Sequence, residues 1–266
     1  MIPNILSIAG SDPSGGAGIQ ADIKAISANG GYAMAAITAL TVQNTRGVRG
    51  AQLIPPAFVA EQIGAVFDDI RVDAVKIGML GSAEIARAVA DALRGRDVPV
   101  VLDPVMVAKG GDRLLAADAV AVLRDVLLPM AAVITPNLPE AADLLDLPEA
   151  ETRAQMLDQA QALLALGPGA VMLKGGHLPG DDSPDLLMTA DGAGWLDSPR
   201  IATANTHGTG CTLSSALATQ LSITGDPMAA ARVAKAYVQA AIAAADGLQV
   251  GGGHGPVDHF HAMRAG

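Results

Sequence analysis

The sequence predicts an α/β protein on a largely parallel sheet that helices cover on both faces, with antiparallel strands at one edge. Three observations predict it. Short apolar runs of strand length alternate with longer segments of helical spacing along most of the chain. Glycine- or proline-bearing loops follow those runs, at the carboxyl ends where such sheets place ligands. Half of the 266 residues are hydrophobic, yet the aromatics are one Trp, two Tyr and three Phe. The core is therefore built from Ala, Val, Ile, Leu and Met, small side chains that suit close helix–sheet packing.

Residues 4–9 read as a buried first strand, 10–16 as a loop, and 17–29 as a helix with Ile19, Ile23 and Ile26 at helical spacing. Gly30-Gly31 ends that helix, 32–40 is a second strand, 41–47 a polar loop, and 48–53 a short edge strand. After Pro55-Pro56 comes a helix to about residue 68, then a strand over 72–77, and Ser82 caps the next helix. A strand over 98–102 closes on Asp103-Pro104, before a glycine loop at Lys109-Gly110-Gly111 and a helix over 117–127. The rhythm repeats with a strand at 132–134, a helix over 152–166, and a strand at 170–173 ending at Lys174-Gly175-Gly176. Residues 181–199 break it with short runs at 186–189 and 194–196, read as antiparallel edge strands. Helices over 211–221 and 227–246 complete the fold, and 251–266 is a tail.

The length suits one domain, residues 1–266, able to bury its own core. A formal charge of −10 without a basic cluster argues against nucleic-acid partners. The single cysteine, Cys211, excludes an intrachain disulfide and suits a reducing compartment, so a cytoplasmic location is expected. The first residues lack the basic and apolar regions of a signal peptide. The uncharged stretch 25–45 is interrupted by Asn29, Gly30, Gly31 and Gln43, so it is no membrane span.

Two nucleotide fingerprints can be rejected. No lysine follows a glycine, which rules out a P-loop. Gly16-Ala17-Gly18-Ile19-Gln20-Ala21 has the dinucleotide form, but no acidic residue occurs between Asp22 and Glu61 to hold a ribose. What remains suits phosphoryl transfer. Gly208 and Gly210 open an apolar helix whose first N–H groups are free for an anion, with Cys211 at the mouth. Asp103 and Glu140 supply acids, Lys174 a cation, and 109–111 a glycine loop, all after predicted strands. His254, His259 and His261 match no metal-ligand spacing, and His207 is expected to shape the anion turn.

Gly10-Ser11-Asp12-Pro13-Ser14-Gly15-Gly16-Ala17-Gly18, Thr41-Val42-Gln43-Asn44, Lys76-Ile77-Gly78-Met79, Asn137-Leu138-Pro139-Glu140, Lys174-Gly175-Gly176-His177 and Thr206-His207-Gly208-Thr209-Gly210-Cys211 resemble the hydroxymethylpyrimidine/phosphomethylpyrimidine kinases of thiamine biosynthesis. The resemblance runs from Ile8 to the Gly253-His254-Gly255-Pro256-Val257 tail. It implies a ribokinase-like three-layer αβα fold, with ATP as co-substrate and Mg2+ as cofactor. The implied reaction phosphorylates 4-amino-5-hydroxymethyl-2-methylpyrimidine, then its monophosphate. By residue-wise match, Asp22 and Gln43 would hold the polar edge of the pyrimidine, with Gly10 and Met79 against the ring. Asn137 and Glu140 belong to the motif tied to magnesium and phosphate, with Asp103 nearby. Lys174, Asn137, Thr206 and Gly208 would meet the nucleotide, and Gly208, Gly210 and Cys211 the transferred group. A homodimer is also implied. Alternatives are a pyridoxal kinase of the same branch and a non-catalytic pyrimidine-binding sensor.

Sugar kinases of this superfamily resemble Gly-Ala-Gly-Asp where this chain has Gly208-Thr209-Gly210-Cys211. A phosphate acceptor needs no base, and a second carboxylate would repel it. Cys211, its pKa lowered by the helix start, is expected to assist the first transfer and still admit the second acceptor.

Overall fold

The computed structural model describes residues 1–106 and 117–264. The glycine loop expected at 109–111 lies outside the described residues.

Eight strands form the central sheet: β1 (Asn4–Ala9), β2 (Tyr32–Ile37), β5 (Ala74–Ile77), β6 (Val100–Leu102), β7 (Val133–Ile134), β8 (Ala170–Lys174), β9 (Asp185–Thr189) and β10 (Gly192–Leu196). Their order is β10-β9-β8-β7-β6-β5-β1-β2, with all pairs from β2 through β8 parallel. Strands β9 and β10 run antiparallel at one edge, as the break in rhythm over 181–199 predicted. Side chains alternate between two apolar layers. Leu6, Ile8 and Val75 face one layer with helices α2 (Pro56–Asp69), α3 (Ala83–Leu93), α5 (Leu138–Leu145) and α6 (Arg153–Leu164). Ile5, Ala74 and Val101 face the other with α1 (Gly18–Ala28), α7 (Thr209–Thr224) and α8 (Pro227–Ala243). This is the three-layer αβα arrangement.

Four local readings change. The expected strand 32–40 breaks at Thr38, whose Oγ1 donates to the Met79 carbonyl at 2.7 Å. Residues 41–47 are no loop: β3 (Ala39–Asn44) pairs with β4 (Gly47–Leu53) as a separate antiparallel hairpin. Leu40 and Val42 are exposed while Thr41 and Gln43 line the cavity described below, a period of two that the polar composition concealed. Helix α5 was missed because its signal lies at its start: the Asn137 side chain accepts from Glu140 N, and Glu140 accepts from Asn137 N. The helix expected over 117–127 is α4 (Ala117–Val122), continued by a wider π turn (Leu123–Leu127) and a short 3-10 turn (Leu128–Met130). A last short helix, α9 (His261–Arg264), follows the tail.

No helix among the described residues is long and apolar enough to cross a membrane.

Candidate active site

The parallel strands end on one rim, where a cavity of about 970 Å³ opens. Every residue singled out from the sequence as a site residue lines it except Asp22.

The anion turn forms its middle. Gly208 is the N-cap of α7 at φ +77°, and a Cβ there would overlap the Gly16 carbonyl oxygen. Only glycine satisfies both demands. No side chain caps this helix, so beyond Thr209, whose N–H donates to the Thr206 carbonyl at 3.4 Å, its opening N–H groups are left for a ligand. Behind the turn, Thr212 Oγ1 donates to the Gly208 carbonyl at 2.8 Å and accepts from His259 Nε2 at 3.0 Å. Burial depresses the His259 pKa to about 4, which keeps that ring neutral.

Facing the turn stands the charged group. Lys174, at the end of β8, puts Nζ 3.0 Å from Asp103 Oδ1 and 3.8 Å from Glu140 Oε2. Thr135 Oγ1 donates to the same Asp103 oxygen at 3.0 Å. A Cβ on Gly210 would lie 3.3 Å from both Asp103 Oδ2 and Lys174 Nζ, which measures how closely the turn approaches this pair. Burial works against the Lys174 ammonium, but Asp103 and Glu140 outweigh it and raise its pKa. Burial pushes Glu140 above the ordinary carboxylate range, with Lys174 only partly opposing. Two carboxylates this close, one short of cationic charge, suit a hard cation bound through one or two carboxylates plus phosphate oxygens and water. Among the described residues no cluster of three or more candidate ligating side chains is found.

The other end combines an apolar wall with a polar cluster. A Cβ on Gly10 would touch the Met79 methyl at 2.5 Å, so these two wall the cavity together. Gln43 Nε2 lies 3.4 Å from His207 Nε2, and His207 Nε2 lies 2.8 Å from Asp12 Oδ2. Although burial opposes the Asp12 charge, hydrogen bonds from His207 and Ser14 pull its carboxyl down to about 2. Asp12 also accepts from the N–H groups of Ser14, Gly16 and Ala17. It thereby knots the first glycine loop to the anion turn, and the Asp-Pro-Ser-Gly run is the sequence signal for that knot.

Asp22 does not reach the cavity. Its side chain is fully buried beneath it, 2.9 Å from Lys76 Nζ through both oxygens, and accepts from Ser7 Oγ at 2.6 Å and Ser215 Oγ at 2.8 Å. Three donor groups making four hydrogen bonds occupy its acceptor sites and leave none for a ring. Lys76, an isolated charge in the apolar strand Ala74-Val75-Lys76-Ile77, was the sign that a buried partner existed.

The expected depression of the Cys211 pKa is overturned. Burial pushes the thiol up to about 11, and the Lys76 charge only partly opposes it. The helix-start dipole does not compensate for lost water, and Cys211 is a neutral thiol at pH 7.

The phosphomethylpyrimidine kinase family profile matches residues 12–258. A hydroxymethylpyrimidine/phosphomethylpyrimidine kinase of Escherichia coli K12 is 55% identical over 260 residues, covering 97% of this chain and 98% of that one. Among solved structures, a Bacillus subtilis pyridoxal kinase in complex with ADP superposes with a TM-score of 0.91 at 35% identity, over 99% of this chain and 100% of that one. A phosphomethylpyrimidine kinase from Clostridium difficile gives 0.80 at 39% identity, over 90% and 99%. A chain with this rim, matched from Asp12 to Asp258, belongs to the phosphomethylpyrimidine kinase family.

Proposed function

We propose that this chain transfers a phosphoryl group from ATP to the hydroxymethyl oxygen of 4-amino-5-hydroxymethyl-2-methylpyrimidine, and then a second to the resulting monophosphate. One observation carries the reading: a single cavity joins the Gly10, Gln43 and Met79 end to the Asp103, Glu140 and Lys174 end, with the Gly208–Cys211 turn between them. An amide acceptor and donor at Gln43 match the mixed N–H and ring-nitrogen edge of an aminopyrimidine, and Gly10 with Met79 offer it a flat apolar wall. Asp22 serves this end by fixing Lys76 rather than by touching the ring.

The nucleotide phosphates lie against Lys174, Asn137, Thr206 and Gly208. Asp103 and Glu140 would hold Mg2+, which would supply neutralisation of phosphate charge when bound. The backbone N–H groups of the turn receive the charge that develops on the transferred group. A loose phosphoryl transition state asks little of a base, so a neutral Cys211 contributes shape and a weak donor rather than proton abstraction. The same neutrality admits the anionic acceptor of the second transfer.

The half-buried free thiol supports a reducing, cytoplasmic setting. Exposed Leu40, Val42 and Leu53 on the β3–β4 hairpin support a homodimer through that face, which size-exclusion chromatography with light scattering tests.

Mass spectrometry after incubation with ATP, magnesium and the hydroxymethylpyrimidine should show the monophosphate and then the diphosphate. Phosphorylation of pyridoxal with no pyrimidine product would favour the vitamin B6 reading, and no product from either would favour a sensor.

A further inference from the structure

Beyond Lys174 the chain leaves β8 and arches through residues 175–184 before returning as β9. Four alternate carbonyls of that arch converge on one guanidinium. Arg200 Nε donates to Gly180 O at 2.9 Å, Nη1 to Gly176 O at 2.7 Å, and Nη2 to Leu178 O at 2.6 Å and Asp182 O at 3.0 Å. The Arg200 backbone N–H donates to Asp181 O at 2.7 Å. A guanidinium has five N–H donors in a rigid fork, and four of these bonds occupy it almost completely. Carbonyl dipoles pointing at a common centre repel one another, so the arch holds this shape only around a cation.

The arch is anchored at its other end as well. Lys235 of α8 donates to Ser183 O at 2.9 Å and pairs with Asp185 Oδ2 at 2.7 Å, while Asp185 Oδ1 accepts from Gly175 N at 3.0 Å. Gly176 and His177 of the arch, and 199–203, which Pro199 joins to the arch by a bridge to Asp182, line the same cavity as Lys174. We propose that Arg200 is a positioning residue for the nucleotide: by filling the ring of carbonyls it sets the arch 176–182 into the form that receives ATP, without itself contacting phosphate. The inference rests on the reading that ATP occupies this end.

The test is Arg200→Ala and Arg200→Lys, with affinities for AMP and ATP, KM for ATP and for the pyrimidine, kcat, and hydrogen exchange of the arch. The expected result is a rise of about tenfold or more in the ATP KM for the alanine variant, the same factor for AMP as for ATP, and faster exchange over 176–182. The pyrimidine KM and kcat should stay put. Millimolar, non-denaturing guanidinium should restore the alanine variant toward wild type. Lysine, with a compact ammonium that cannot span four carbonyls, should fall between and supplies the measurement if the alanine variant does not fold. A loss that grows with the number of phosphates would mean that Arg200 serves phosphate charge directly and would overturn the inference, as would an unchanged ATP KM. If ATP fails to slow exchange over 199–203 in the wild-type protein, the nucleotide reading itself fails.

Discussion

Replacing Asp22 by Asn distinguishes a carboxylate that touches the ring from one that holds the floor beneath it. Asp22 and Lys76 are both fully buried, and among the described residues each is the other's charge partner at contact distance. Asparagine keeps the shape and one acceptor oxygen but removes the charge, and it turns an amide donor toward Lys76, Ser7 or Ser215, all of which also donate. Breaking a buried pair by neutralising one partner costs about 3–5 kcal/mol. In a protein of this size 1 kcal/mol moves Tm by about 2–4 °C, so a fall on the order of 10 °C is expected. Thermal and urea unfolding read it, with the pyrimidine KM measured on the folded fraction. The double variant Asp22→Leu with Lys76→Met should recover much of the loss, because an apolar pair leaves no charge to compensate. An Asp22→Asn protein within about 1 kcal/mol of wild type but with a sharply raised pyrimidine KM would refute the reasoning, since the carboxylate would then be spending its charge on the ring.

Gly208→Ala forces a side chain into the left-handed region, at about 1–2 kcal/mol, and against the Gly16 carbonyl, so stability should drop by at least that amount. Its kcat should fall by about 100-fold as the turn's donors are displaced, which steady-state kinetics would show. For His259 the folded pKa is depressed from 6.5 to about 4. Its contribution is therefore present above the unfolded pKa and lost as pH falls toward 4, about 3 kcal/mol over that window. Urea unfolding of His259→Phe should show a visibly flatter pH dependence between 6.5 and 4, with some stability lost at pH 7 through Thr212. Cys211→Asp should slow the second transfer about tenfold more than the first, because a carboxylate beside the turn repels an acceptor phosphate. Equal losses in separate single-turnover assays, or a spared second step, would count against that account.

The fold and the location of the site were legible for the same reason: in a parallel sheet both depend on periodicity and on the residues placed just after each strand. Lys174, Asp103, Asn137 and Gly208 each close a strand or open a helix, and topology alone brings them to one rim. Less legible was anything decided by depth. Asp22 sits one turn into α1 and reads as a contact residue in a familiar motif, yet depth gives it to Lys76. Cys211 sits at a helix start, which argues for a low pKa, yet its burial outweighs the dipole. The hairpin over 39–53 was hidden because one face carries Thr41 and Gln43 toward a ligand cavity, which makes a strand look like a loop. Arg200 was invisible, since its partners are backbone carbonyls that carry no residue identity.

The charge pattern of the cavity explains how one site can take both an uncharged alcohol and a phosphate. Among the described lining residues, Lys174 is held by Asp103, Lys76 by Asp22 and Lys235 by Asp185, while Arg200 is spent on carbonyls. None is a loose cation that would favour an anionic acceptor over a neutral one. Cys211 is neutral, so position 211 adds no fixed negative charge against the anion. On the proposed reading, discrimination at the acceptor end falls to the shape set by Gly10, Met79 and Gln43, and charge is met at the turn by backbone dipoles, which accept phosphate without demanding it. An aspartate at position 211 would place a second carboxylate charge against an anionic acceptor; the neutral, half-buried thiol leaves the turn able to serve two in succession.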